Sequence, residues 1–296
     1  MKFSRTTLRR LKDSLQEDIG SGDITTRLLI PKSAISTAKL EAKESGIFSG
    51  EPVARELCKA VDPSLRLRGL VKDGRPFHKG QTLLKISGKT QSILKVERTL
   101  INLLAKLSGI ATLTHRFVKE TRGTKAKILD TRKTTPLWRE LEKYAVRSGG
   151  GENHRFGLYD EILVKDNHWK AMRKGGVSRA LALTLQNKKF RVTFEVKDLS
   201  QLADVLSANF TPDCVLLDNF PLQELKRAVL FSRAFYQVLG SRYKIHRRRP
   251  LLEASGGIHL RNVRAVAKTG VDRISVGAIT HSAPSLDFSL EIHDEK

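Results

Sequence analysis

Apolar residues recur every three or four positions in "SRTTLRRLKDSLQEDIG", with Leu8, Leu11 and Leu15 on one side, and this spacing predicts an amphipathic helix. The rhythm then shortens. "STAKLEAKESGIFSG" (36–50) reads as β-rich, "EPVARELCKAV" (51–61) as helix, and "LRLRGLVKDGRPFHKGQTLLKISG" (65–88) as a strand pair turning at Asp73-Gly74. Two apolar-periodic helices follow, "SILKVERTLINLLAKLSG" (92–109) and "ATLTHRFVKETR" (111–122), the second bridging to what comes next. The region to residue 112 is therefore expected to be a separate α/β domain, and 113–280 a second one.

From about residue 125 short apolar runs alternate with helical stretches. The runs are "AKILD", "EILVKD", "RVTFEV", "CVLLDN", "LLEASGG" and "RISVG". Between them stand "LWRELEKYAVR", "VSRALALTLQ", "LSQLADVLS", "LQELKRAVLFSRAF" and "RNVRAVAKTG". Serial β/α units of this kind predict a parallel sheet with helices outside. Asp130, Lys165, Glu195, Asp218, Ser255 and Gly277 each fall at or just past the end of an apolar run. A doubly wound sheet concentrates such groups at one crevice. Here every unit supplies one, as in a barrel whose site lies at the C-terminal mouth of its strands. Six strands fall short of eight, so the fold expected is an open, incomplete TIM-like α/β barrel.

Charge changes this picture. Fifty-four Lys and Arg against 31 Asp and Glu give a net charge of +23, a field that attracts nucleic acid, acidic membrane or phosphorylated metabolites. One dense knot, "RYKIHRRRP" (242–250), is poor in aromatics for base stacking, with Tyr243 alone among them, and a solvated loop on a basic protein explains it better. Cys58 and Cys214 lie far apart with no CxxC spacing, which predicts neither a disulfide framework nor a zinc site. No stretch has the apolar length of a membrane span or signal peptide, so a cytoplasmic protein is expected.

The candidate chemistry is anion binding. Arg132, Lys133, His154, Arg155 and Lys165 lie on loops of the first two β/α units, while Arg98 is an outlier on a helix of the first domain. Clustered cations repel unless an anion neutralises them, and an arginine fork matches a carboxylate or phosphate in two parallel bonds. "SGGG" (148–151) serves either close approach to a ligand or tight folding; "ASGGI" (254–258) and "SVGAIT" (275–280) are better placed for a phosphate cradle. Glu195 and Asp218 end adjacent strands, with Glu253 in the next. They suit Mg²⁺ held largely by substrate phosphate or, about as well, internal pairing with Lys133 or Lys165. His168 in "KDNHW" reads as a hydrogen-bonded wall residue as readily as a ligand. No nucleophile elbow or Walker loop is present.

The sequence resembles the quinolinate phosphoribosyltransferase family over nearly its whole length. The motifs are "EDIGSGDITT" (17–26), "ERTLINLLAKLSGIAT" (97–112), "DTRKTTP" (130–136), "GGGENHR" (149–155), "KDNH" (165–168), "LLDNF" (216–220), "EASGGI" (253–258) and "SVGAITHS" (275–282). The resemblance implies an N-terminal α/β sandwich, rejoined by the tail 281–296, beside an open barrel. It also implies a homodimer in which Arg98 reaches the partner's site. The implied reaction joins quinolinate to phosphoribosyl pyrophosphate, with Mg²⁺, releasing pyrophosphate and carbon dioxide and forming nicotinate mononucleotide for NAD biosynthesis. By motif position, Arg98, Thr131, Arg132, His154, Arg155 and Lys165 surround the substrates' anionic groups. Lys133, Glu195 and Asp218 carry the chemistry at the ribose and pyrophosphate, and Ser255, Gly256, Gly257 and Gly277 hold the 5-phosphate.

Thr193 stands where such sequences usually carry a glutamate, Leu137 where they carry glycine, and 231–250 is longer and more basic. Two alternatives remain: a molybdenum-transport-associated relative of the same fold, less consistent with "KDNH" and "GGGENHR", and a basic nucleic-acid-binding protein resting on charge alone.

Overall fold

A computed structural model describes residues 3–171, 189–208, 211–243 and 248–293. The helix expected in "VSRALALTLQ" and the middle of the basic knot lie outside them. The chain divides into two compact units: Met1–His115 with Lys133–Gly151 and Ile279–Lys296, and Arg116–Arg132 with Glu152–Ala278. The segment 133–151 thus groups with the first unit, although its helix follows the first strand of the second.

In the first unit, α1 (Arg5–Ile19) starts where the Ser4 hydroxyl accepts from the Thr7 amide at 3.2 Å, and it buries Thr7, Leu11 and Leu15. Asp23 caps the short α2 (Ile24–Leu29) by accepting from the Thr26 amide at 2.9 Å. Strand β1 (Ile35–Ala42) alternates buried and partly exposed positions, so Ala38, Leu40 and Ala42 face the core. β2 (Gly46–Ile47) leads to α3 (Glu51–Val61), and β3 (Arg66–Gly69), β4 (Pro76–Phe77) and β5 (Thr82–Lys89) follow. The predicted turn at Asp73-Gly74 has a second use. The Asp73 carboxylate accepts from the Gly50 and Glu51 amides at 2.9 and 3.1 Å, capping α3 from outside its own sequence, and also from the Tyr144 hydroxyl. Strand β12 (Phe288–His293) pairs antiparallel with β1, completing a sheet of order β12-β1-β5-β3. The C-terminal strand therefore belongs to the first unit's sheet.

The two helices expected between 92 and 122 are one, α4 (Thr90–Glu120). Gly109 suggested a break, but its role is packing: a Cβ there would overlap the backbone carbonyl of Pro284. A helical glycine costs about 1 kcal/mol relative to alanine, less than the clash it avoids. The SGGG run has the same explanation. Side chains on Gly149 and Gly151 at the end of α5 (Arg139–Ser148) would collide with Ala111 and Thr114 of α4. These glycines fold the chain tightly within the first unit. Leu137 sits at φ 72°, the left-handed backbone that glycine, the residue the family resemblance led one to expect there, adopts freely.

The second unit contains all six predicted strands: β6 (Lys127–Leu129), β7 (Glu161–Val164), β8 (Arg191–Val196), β9 (Cys214–Asp218), β10 (Leu251–Ser255) and β11 (Arg273–Ser275). They form one parallel sheet of order β6-β11-β10-β9-β8-β7, an open α/β barrel with β6 and β7 as its free edges. Glu152 adds a single parallel bridge on the β6 edge. Around the strands run α6 (Asp166–Ala171), α7 (Leu199–Ser207), α8 (Leu222–Tyr243), α9 (Val263–Lys268) and the short α10 (Ala278–His281), whose last residues fall in the first unit. The helix predicted over 222–235 thus extends further, and its outer face leaves Leu230, Phe231 and Val238 exposed. No helix among the described residues is long and apolar enough to cross a membrane.

Candidate functional site

The second unit gathers most of the predicted groups at the C-terminal ends of its strands. Asp130, Thr131 and Arg132 follow β6; Lys165 follows β7; Glu195 lies near the end of β8. Asp218 and Ser255 end β9 and β10 and are register neighbours, and Gly277 stands two residues past β11. Lys133 and Arg98 belong to the first unit. Lys133 is exposed and its carbonyl accepts from the Thr280 hydroxyl at 2.7 Å; Arg98 is exposed on α4.

The cations are placed by buried acids. Asp130 is fully buried and accepts from the Asn153 carboxamide at 2.6 Å and the His154 amide at 2.9 Å. Glu152 ties the same segment to the first strand, its amide donating to the Ile128 carbonyl at 2.8 Å. Arg155 then follows, its guanidinium donating to the Glu161 carbonyl at 3.3 Å. Burial, then the neighbouring Arg132, hold the Arg155 guanidinium below its ordinary pKa, with Glu161, Asp160 and Glu195 opposing.

Lys165 makes an ion pair with Glu195, whose side chain is 6% exposed. Of the two roles open to Glu195 from the sequence, pairing with lysine is the one this structure displays. The His168 ring accepts from the Lys165 amide at 2.9 Å, so His168 closes the turn after β7. Thr193 is buried and donates to the Glu161 carboxylate at 2.6 Å. A carboxylate from β7 thus reaches the β8 position where the family resemblance led one to expect glutamate. Glu161 was missed from the sequence; its only signal is an acidic residue opening the buried run "EILV".

The loops after β9 and β10 interlock. Asn219 has φ 56°, and its amide donates to the Ser255 carbonyl at 2.8 Å. Gly256 has φ 91°, and a Cβ there would overlap the Asn219 carboxamide. Ser255 and Gly256 border a cavity of about 250 Å³ together with Phe220, Leu225, Asn262 and Val266. Gly257, at φ 58°, has open space where its Cβ would be. Among the described residues no group of three or more His, Cys, Asp and Glu is clustered as a metal cage. Arg249, from the basic knot, is committed to Asp272 at 3.0 Å, which removes it from any purely solvated cluster.

The second unit is thus an open α/β barrel with basic and acidic side chains at the C-terminal ends of its strands. The family model for the C-terminal domain of quinolinate phosphoribosyl transferase matches residues 110–291, and that for its N-terminal domain matches 23–108. The nicotinate-nucleotide pyrophosphorylase [carboxylating] of Mycobacterium leprae is 41% identical over 98% of this chain and 97% of its own. The quinolinate phosphoribosyltransferase [decarboxylating] 1 of Nicotiana glauca is 38% identical over 95% of this chain and 81% of its own. The solved nicotinate-nucleotide pyrophosphorylase of Francisella tularensis superposes with a TM-score of 0.87 at 36% identity, covering 99% of this chain and 98% of that one. The chain belongs to the quinolinate phosphoribosyltransferase family.

Proposed function

We propose that the protein transfers the phosphoribosyl group of phosphoribosyl pyrophosphate to quinolinate, yielding nicotinate mononucleotide, pyrophosphate and carbon dioxide in the biosynthesis of NAD. The observation that carries this reading is the gathering of Arg132, Lys165, Glu195, Asp218 and Ser255 at the C-terminal ends of one parallel sheet. Quinolinate offers two carboxylates on adjacent ring carbons, a compact dianion for two forks and the Lys165 ammonium. Held so, the pyridine nitrogen is oriented toward the ribose.

The nitrogen lone pair forms the bond to the anomeric carbon as the bond to pyrophosphate breaks and its electrons leave with that group. Glu195 and Asp218, at the ends of adjacent strands, stabilise the positive character that develops on the ribose. Lys133 is assigned to the charge growing on pyrophosphate, and Thr131 contributes a hydroxyl just past β6. The Ser255, Gly256, Gly257 and Gly277 backbone holds the 5-phosphate. The quaternised nitrogen then acts as an electron sink. The bond to the adjacent carboxylate breaks, its electrons remain on the ring carbon, and a proton from solvent completes the product. Glu195, once released from Lys165, and Asp218 would be the carboxylates to hold Mg²⁺, an ion that takes most of its ligands from phosphate and water and would neutralise the diphosphate.

Purified protein should release pyrophosphate and carbon dioxide from the two substrates together with Mg²⁺, and neither after chelation. No product at saturating substrate would overturn the reading.

The reading includes a homodimer. Its support is Arg98, exposed on α4, and an exposed apolar face on α2, where Ile24, Leu28 and Leu29 are 61%, 75% and 72% accessible. If Arg98 serves the partner's site, inactive Arg98→Ala and Arg132→Ala chains should regain about a quarter of wild-type activity when mixed and reassociated. Stable inactivity of the mixed dimer would place Arg98 elsewhere. Action in the cytoplasm belongs to the same reading; Cys58 and Cys214 are both free and buried.

A further inference from the structure

Glu253 has no part in the chemistry above, yet it is wholly inaccessible to solvent inside the second unit. Its Oε1 accepts from the Ser275 hydroxyl and lies 3.3 Å from His154 Nε2; its Oε2 lies 3.8 Å from the Cys214 thiol. The other ring nitrogen is also engaged, His154 Nδ1 accepting from the Arg155 amide at 2.7 Å. A nitrogen that accepts from a backbone N–H carries no proton, so the neutral ring holds its proton on Nε2, facing Glu253. His154 thus spans from a buried carboxylate on β10 to the backbone of Arg155.

We propose that Glu253 is a positioning residue: through the His154 imidazole it fixes the Arg155 backbone, and so the Arg155 guanidinium, for the pyridine dicarboxylate. This rests on the phosphoribosyl-transfer reading. Arg155 is half-buried in the loop between β6 and β7, so the direction of its side chain depends on what anchors that loop. Asp130, just past β6, holds the Asn153 carboxamide and the His154 amide, and Glu253 faces the ring from β10. Two attachments on different strands remove the rotation that one would leave. Burial alone would push the Glu253 carboxyl up, but the hydrogen bonds from His154 and Ser275 hold it below its ordinary value. The anchor therefore stays an anion that demands a donor. An apolar residue could fill the same volume without harming stability, but would leave the ring free to turn.

The test separates positioning from stability. Glu253→Leu should raise the KM for quinolinate about tenfold or more while the KM for phosphoribosyl pyrophosphate stays within about twofold. Glu253→Gln, whose carboxamide oxygen can take the place of Oε1, should recover to within about threefold. His154→Ala should reproduce the effect, and adding Glu253→Leu to it should change quinolinate KM by less than about twofold, because the two act as one unit. An unchanged quinolinate KM in His154→Ala, an equal rise for both substrates, or additivity in the double variant would each overturn the proposal. If Glu253→Leu does not fold, His154→Ala and Glu253→Gln still decide it. Nitrogen NMR of the wild-type ring keeps this inference distinct from the reaction assigned above. A single Nε2–H tautomer is expected whether or not the substrates react, and an Nδ1–H tautomer would refute the linkage even in an active enzyme.

Discussion

Replacing Arg155 with alanine is expected to raise the KM for quinolinate about 100-fold and to leave that for phosphoribosyl pyrophosphate within about threefold. A charge-assisted bond from a partly buried guanidinium to a carboxylate contributes about 1.5–3 kcal/mol, and each 1.4 kcal/mol is a factor of ten. The upper part of that range applies because the bond is made beside Arg132, where the ligand's charge also relieves cation repulsion. Arg155→Lys keeps the charge and loses the fork, so it should recover only part of the affinity. Substrate-specific KM values from initial rates decide the matter. Equal weakening toward both substrates would mean that Arg155 supports the site in general and does not read the dicarboxylate.

That specificity could be suspected from the sequence but not located. "GGGENHR" announced cations beside glycine, yet the glycines and the cations turn out to do different work. Gly149 and Gly151 accommodate α4, while His154 is tied to Asp130 past β6 and faces Glu253 on β10, and the Arg155 amide donates to the His154 ring. Periodicity along the chain exposes which residues share a face, and it placed all six barrel strands. It carries no information on which buried acid meets which loop, because those partners are separated by 24 to 99 residues. The same limit explains Thr193. Its substitution looked like a lost carboxylate, and only the β7–β8 pairing reveals Glu161 on its hydroxyl. Gly109 misled in the opposite direction, since a helix breaker by propensity became a close-contact position once residue 284 packed against it.

The second large effect concerns the Lys165–Glu195 pair. Lys165→Met should lower kcat/KM about 100-fold, and Glu195→Gln should do similar damage, but the double variant should be little worse than either alone. Removing one partner of a buried ion pair costs about 3–5 kcal/mol, largely because the other charge is stranded. The Glu195 side chain is 6% exposed and the Lys165 side chain 43%, so solvent reduces the figure to about 2–3 kcal/mol. The pair also sets a condition on the reaction as proposed. Lys165 is assigned to the dicarboxylate and Glu195 to the ribose, so each must be drawn partly from the other as the substrates arrive. A ligand that engages only one should leave its partner's charge uncompensated. Binding of quinolinate should therefore tighten binding of a ribose diphosphate, and the double variant should lose that coupling along with the pair. Calorimetric titration of one ligand in the presence and absence of the other measures it directly. Additive losses in the variants, with undiminished coupling between ligands, would show that Lys165 and Glu195 serve their substrates independently and that their contact is incidental.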